Sequence, residues 1–191
     1  VSAAGRVSEA PARPGEPLAA TVGRTLRRAL SPEPGAVGFL RGAASHPSAL
    51  VRAWALVGLG LRPSPDGVAA TVRGIGERAK PVREAAVWSL RQHLLDDRGW
   101  EAALTAGEVG DDRARESVFR ALQMRADAVM SRSEVPWARL TALLDRGMND
   151  DRHPGVRAWA AKAAWPWWVW DPPARAGVNA AWERMLQRPE S

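Results

Sequence analysis

Three histidines are the only imidazoles in this chain, and their spacing does not gather them. His46 and His153 each stand directly before a proline, a turn role met twice, and His93 falls at the end of a predicted helix, where a cation favours the helix dipole. Cysteine is absent, which excludes disulfides, thiolate metal sites, a thiol nucleophile and a covalent c-type haem from these residues. Neither a Gly-rich phosphate loop nor a Gly-x-Ser-x-Gly elbow occurs. The expectation is therefore no catalytic residue, no metal and no cofactor. Two other arrays carry recognisable chemistry. Arg52, Arg83, Arg115 and Arg157 recur at regular spacing, and a guanidinium makes several fixed hydrogen bonds to phosphates, carboxylates or carbonyls. Trp54, Trp88 and Trp159 alternate with Arg91, Arg120 and Lys162, a combination that stacks on apolar groups or bases and meets anions.

The arginines head four copies of one helical pattern: Arg-Ala-Trp-Ala-Leu-Val-Gly-Leu from 52, Arg-Glu-Ala-Ala-Val-Trp-Ser-Leu from 83, Arg-Glu-Ser-Val-Phe-Arg-Ala-Leu from 115 and Arg-Ala-Trp-Ala-Ala-Lys-Ala-Ala from 157. Offset +3 is always small or aliphatic, +6 is Gly58, Ser89, Ala121 or Ala163, and +7 is Leu59, Leu90, Leu122 or Ala164. At 100° per residue, offsets 0, +3, +4 and +7 share a face. The arginines lie 31, 32 and 42 residues apart, inside the range that marks a helical solenoid. Offsets +2 and +5 point away from that face and hold Trp54, Trp88, Arg120, Trp159 and Lys162, which form the candidate binding strip together with Arg91.

An all-α fold follows, a right-handed solenoid of four to five antiparallel helix pairs over 17–191, after a disordered lead-in at 1–16 rich in proline and small residues. A first helix spans Leu18 to Leu30, stopped by Pro32 and Pro34. The first helices of the pairs are expected over 35–44, 66–78, 98–107 and 135–148, and the second, arginine-bearing helices over 47–60, 81–94, 112–126 and 154–165. Pro47, Pro81 and Pro154 sit at helix starts, where the missing N–H costs nothing. Ser64 and Ser133 supply caps, and Asp111 and Asp112 replace the proline in the third copy. The long last interval requires a longer turn near 126–133 or an extended motif helix. Pro166 is expected to end or kink the fourth motif helix. Asp171, Pro172 and Pro173 open a last helix with Val178, Ala181, Trp182, Met185 and Leu186 inward, and Trp165, Trp167, Trp168 and Trp170 are expected to be mostly buried as a cap.

Proline, aliphatic, arginine, then alanines and a leucine on a helix, repeated every thirty-odd residues over about 35–165, resembles HEAT repeats and their short HEAT-like bacterial relatives. The resemblance implies a curved scaffold that binds proteins or nucleic acids, with the second helices on its concave side. It also implies an internal ladder in which Arg52, Arg83, Arg115 and Arg157 bond the preceding turn, served by Asp96, Asp97, Asp111, Asp112, Asp150 and Asp151. The 153–188 stretch resembles HEAT-bearing regions of large bacterial envelope proteins, which implies a bacterial cytoplasmic or envelope setting. With Val1 rather than Met at the start, the chain is expected to be part of a longer polypeptide. Resemblance to di-iron HEAT-repeat hydroxylases fails, because no His-Glu pair occurs. HEAT-like DNA glycosylases are the nearer rival; their pattern sets an aspartate one turn after a tryptophan, and the chain is expected to lack any such Trp-x-x-x-Asp pair.

The formal charge is +6, but 21 acids are mixed among 27 basic residues of which only Lys80 and Lys162 are lysine. That pattern fits a mixed-charge surface and a GC-rich coding bias better than a polyanion-binding face. No apolar run reaches the length of a membrane span. The expected function is a non-enzymatic interaction scaffold for a protein partner or for other domains of a longer chain. A basic, tryptophan-lined nucleic-acid binder, glycosylase-like or not, is the alternative.

Overall fold

The computed structural model describes residues 16–33, 35–62, 64–126, 135–149, 151–170 and 172–187, with the side chains of 170 and 172–174 outside that description. Every regular element in them is an α-helix: α1 (Leu18–Leu30), α2 (Ala36–Ala43), α3 (Ala49–Gly60), α4 (Pro65–Ile75), α5 (Lys80–His93), α6 (Asp97–Val109), α7 (Asp112–Ala126), α8 (Trp137–Asn149), α9 (Pro154–Trp170) and α10 (Pro172–Leu186). The all-α expectation holds. Among the described residues, no helix is long and apolar enough to cross a membrane. The lead-in expected at 1–16 lies outside them except for Glu16, which pairs with Arg24 on α1 at 2.5 Å.

Local chemistry sets the helix starts. Ser64 Oγ accepts from Gly67 N, Asp96 Oδ1 from Gly99 N and Asp111 Oδ1 from Ala114 N, each satisfying a first-turn donor that the helix itself cannot pair. The expected caps at Ser133 and Asp171, and the longer turn near 126–133, fall largely or wholly outside the described residues. The motif register holds throughout: Ala55, Ala86, Val118 and Ala160 at +3, and Leu59, Leu90, Leu122 and Ala164 at +7, are all fully buried. No such stripe can be covered within its own helix. The helices bearing the motif arginines touch in series, α3, α5, α7, α9, with α1 against α3, and the others do likewise, α2, α4, α6, α8, α10.

Small residues set how closely these series approach. A Cβ on Gly58 would come within 2.8 Å of the Ala29 backbone on α1 and of Leu40 on α2. On Gly74 it would meet Leu56 at 2.7 Å and Ala86 at 2.9 Å, and on Gly147 it would meet Phe119 at 2.4 Å and Ala160 at 2.9 Å. These glycines let the two series close on one another with backbone near side chain.

Three expectations need correction. The fourth motif helix does not end at Pro166 but runs on to Trp170. Trp167 explains it: the indole is buried edge-on against Trp100 and Trp137, at 5.9 and 5.6 Å between centroids. Burying a large aromatic is comparable to the roughly 3 kcal/mol an internal proline costs. Arg175 from α10 adds bonds to the last-turn carbonyls of Trp168 and Val169. Leu186, expected inward, is 80% exposed, because the buried stripe of α10 is centred on Val178 and Ala181. His93 is no surface cation at a helix end. It is fully buried, with Nε2 3.4 Å from Ser89 Oγ, which itself shares a 2.8 Å bond with Thr71.

Burial holds the His93 pKa below its ordinary value, against the opposing pull of Asp96. Three expected outcomes follow for stability. Gly58→Ala should lower the urea midpoint by the equivalent of about 1–3 kcal/mol, since the new methyl must displace backbone. Gly38→Ala, on the exposed side of α2 with nothing within 4 Å of the added carbon, should raise it by roughly 0.5–1 kcal/mol. Because the unfolded His93 takes up a proton before the folded one, its contribution is full above about pH 6.5 and is lost as pH falls from there towards the depressed folded value. Thermal melts across that range should slope more steeply for the native chain than for His93→Gln, and equal slopes would remove His93 as the cause.

Candidate functional site

The four motif arginines share one geometry. Arg52 Nη1 donates to the carbonyls of His46 and Pro47, Arg83 Nη1 to those of Glu77 and Arg78, and Arg157 Nη1 to those of Asp151 and Arg152, at 2.6 to 3.1 Å. Arg115 Nη1 takes the Gly110 carbonyl at 2.7 Å. Each therefore ties down the turn in front of its own helix rather than a turn of the preceding repeat. Two also reach forward. Arg52 grips Glu77 in the turn before α5 with two bonds, at 3.0 and 2.9 Å. Arg115 grips Asp151 in the turn before α9, at 2.7 and 3.3 Å, and also takes Asp112. Of the other acids named for the ladder, Asp96 and Asp111 cap helices instead.

The candidate strip is divided by the fold. Arg120, Trp159 and Lys162 come together across α7 and α9: the Arg120 guanidinium lies 5.2 Å and the Lys162 ammonium 4.6 Å from the Trp159 ring centroid, inside cation–π range. Glu84 on α5, missed in the sequence, completes the group by receiving two bonds from Arg120, at 2.9 and 2.5 Å. Those bonds hold the Glu84 carboxyl below the usual carboxylate range and raise Arg120 in turn. The signal was weak, since one glutamate 36 residues before an arginine has no local pattern. Trp54 and Trp88 are half-buried on α3 and α5, without a ring or cation contact to the others. Arg91 is also half-buried, and its Nε is enclosed without an acceptor. The intervening +2 positions are inward: Ala85 is buried, and Ser117 donates to the Ile75 carbonyl from a buried site.

A second aromatic group lies on α9 and α10. Trp165, Trp168 and Trp182 meet pairwise at 5.5 to 5.9 Å, with Trp165 57% exposed, Trp168 and Trp182 half-buried and Trp167 inside. Burial is thus shared more thinly than the expected cap requires, and the Trp170 side chain lies outside the described residues. The glycosylase spacing, expected to be absent, does occur, as Trp167 of α9 and Asp171. Trp167 is buried and packed at steep interplanar angles against Trp100 and Trp137, so its indole is closed to a base, and Asp171 lies outside the described residues.

Several arginines bridge helices or close helix ends within the described residues. Arg41 pairs with Asp66, Arg139 with Glu101 and Glu108, and Arg184 with Asp145, each joining one helix to another. Arg62 from the end of α3 bonds the carbonyls of Ala29, Gly58 and Ser31, closing the end of α1. An open cleft of about 550 Å³ between α7 and α8 is lined by Asp112, Arg115, Phe119, Arg146, Asp151 and His153, acids and bases in balance. Among the described residues, no group of three His, Asp or Glu is arranged to hold a metal ion. No family model and no curated protein matches the chain.

Arg115→Lys should destabilise nearly as much as Arg115→Ala, by about 1–3 kcal/mol, because an ammonium cannot reach the Gly110 carbonyl and two carboxylates together. Chemical denaturation measures it, and a lysine variant as stable as the native chain would show that charge alone suffices.

Proposed function

We propose that this chain is a non-enzymatic interaction module: a HEAT-like α-solenoid of antiparallel pairs α2–α3, α4–α5, α6–α7 and α8–α9 that binds an extended protein segment along its second helices. What supports the repeat reading is the motif register and the two helix series in contact. The observation that carries the function is the half-exposed indoles on three of the four motif helices, Trp54 on α3, Trp88 on α5 and Trp159 on α9, the last within the Arg120–Trp159–Lys162 group. Tryptophan and arginine dominate binding hot spots, since an indole offers a large rigid surface at little entropic cost. A protein segment is favoured over nucleic acid by the fate of the arginines. Arg41, Arg52, Arg115, Arg120, Arg139 and Arg184 are engaged by carboxylates, and Arg62, Arg83, Arg157 and Arg175 by carbonyls, so these ten guanidiniums already have partners within the fold.

Selection from a displayed random-peptide library should yield peptides that bind the 191-residue chain, and Trp159→Ala or Trp88→Ala should weaken them by about 30-fold or more each, the loss of a hot spot. The melting midpoint should change little, because both rings are partly in water. If no peptide is selected, while a single-stranded oligonucleotide binds with a log–log salt slope near −0.7 per neutralised phosphate, the function belongs to nucleic-acid binding instead.

A further inference from the structure

We propose that two matched clefts, one between α3 and α4 and one between α7 and α8, are binding sites for carboxylates, each taken by the arginine that stands free in its wall, Arg73 or Arg146. The clefts share no residue with the tryptophan strip and bind independently of it. The first, of about 350 Å³, is lined in part by Arg52, Leu56, Ala70, Arg73, Gly74 and Glu77. The second, of about 550 Å³, is lined in part by Arg115, Phe119, Leu143, Arg146, Gly147 and Asp151. Those residues correspond position by position. Arg52 and Arg115 are motif arginines, and Leu56 and Phe119 hold offset +4. On the facing helix, Ala70, Arg73 and Gly74 have the same spacing as Leu143, Arg146 and Gly147. A Cβ on either glycine would strike the +4 side chain, so Leu56 and Phe119 press in to give each cleft a buried apolar floor. Glu77 and Asp151 are already taken, each by two bonds from the motif arginine. Arg73 and Arg146 are both exposed, and neither has a carboxylate or carbonyl partner among the described residues.

The second motif lacks both features together. Among the described residues Arg83 bonds carbonyls alone. Gly107 on α6 abuts Val118 at offset +3 of the next motif helix, as Gly74 abuts Ala86 and Gly147 abuts Ala160. The residue before it, in the place of Arg73 and Arg146, is the buried Ala106. An arginine present only to neutralise the neighbouring acid would pair with it. Among the described residues neither Arg73 with Glu77 nor Arg146 with Asp151 does so, which leaves each guanidinium for a group from outside. Charge then selects the ligand. A guanidinium fork matches the two oxygens of a carboxylate, and the apolar floor accepts a short aliphatic stem behind it. A phosphate dianion is repelled by Glu77 or Asp151 and, in the larger cleft, by Asp112. Glu108 of that cleft is neutralised from outside by Arg139. A small free dicarboxylate and the acidic side chains of a protein segment both carry the required chemistry.

Glutarate and poly-glutamate, titrated at low salt into the 191-residue chain, are the probes. In two-dimensional NMR the Nε–H signals of Arg73 and Arg146 should shift, their assignment given by their loss in Arg73→Gln and Arg146→Gln. Each variant should keep its melting midpoint, since both side chains are exposed, and should weaken glutarate at its own cleft by about tenfold or more. Arg98→Gln, at an exposed position of α6 outside both clefts, should leave binding unchanged. A loss of equal size in Arg98→Gln would assign the binding to general positive charge and overturn the sites. Signals that neither probe moves, or inorganic phosphate binding more tightly than glutarate, overturn them too. The source is read from the two probes. Poly-glutamate held well above glutarate, and released by the double variant, assigns the clefts to an acidic protein segment. Equal affinity per carboxylate assigns them to a small free carboxylate.

Discussion

A guanidinium held by the carbonyls of the turn in front of its own helix is the interaction on which this fold is organised. In Arg52, Arg83 and Arg157 one Nη binds two successive carbonyls six and five residues back, and Arg115 keeps the second of these bonds. Those carbonyls lie at the end of one helix and the start of the next, where backbone groups have no partner in the helix itself. By satisfying them from the side, the arginine fixes where the chain leaves one helix and enters another. The stripe at +3 and +7 can then face the core in every copy. Lysine has three donors on one atom and cannot span such a set, which is a structural reason for a chain with so few lysines, whatever its coding bias.

Once the turns are fixed, packing depends on close approach. Gly58, Gly60, Gly74 and Gly147 all lie where an added carbon would strike a neighbouring helix at 2.8 Å or less, so the spacing between series is set by residues with nothing to give up. Larger side chains occupy the space left over: Leu56 and Phe119 fit over Gly74 and Gly147, and Trp167 fills the gap between α6, α8 and α9. The Thr71–Ser89–His93 chain is one of the polar groups buried there, as is Ser117. His93 is tolerated there because burial keeps it neutral.

The same economy governs the surface. Arginines that hold turns and bridge helices have little capacity left for a ligand, and Arg120 is an example, its charge spent on Glu84 while its plane lies on Trp159. Lys162 is the exposed cation of that group. Net charge alone would have pointed to a polyanion. The pairing pattern directs attention to the indoles instead.

Composition and periodicity determined the helices, their boundaries to within a few residues and the buried offsets, because each is a local consequence of a 3.6-residue repeat read against proline, serine and aspartate at the helix starts. They also picked out the four arginines and the strip of Trp54, Trp88, Arg91, Arg120, Trp159 and Lys162. Partners were another matter. That Arg120 belongs to Glu84, Arg115 to Asp151 and Trp167 to Trp100 depends on which turns and faces meet 36, 36 and 67 residues apart, and no local pattern encodes that distance. Pro166 misled for the same reason: its cost is local, whereas the burial of Trp167 that offsets it comes from helices far away in the chain. The side chain at each offset is written in the sequence; what it touches is decided only when the helix series close on one another.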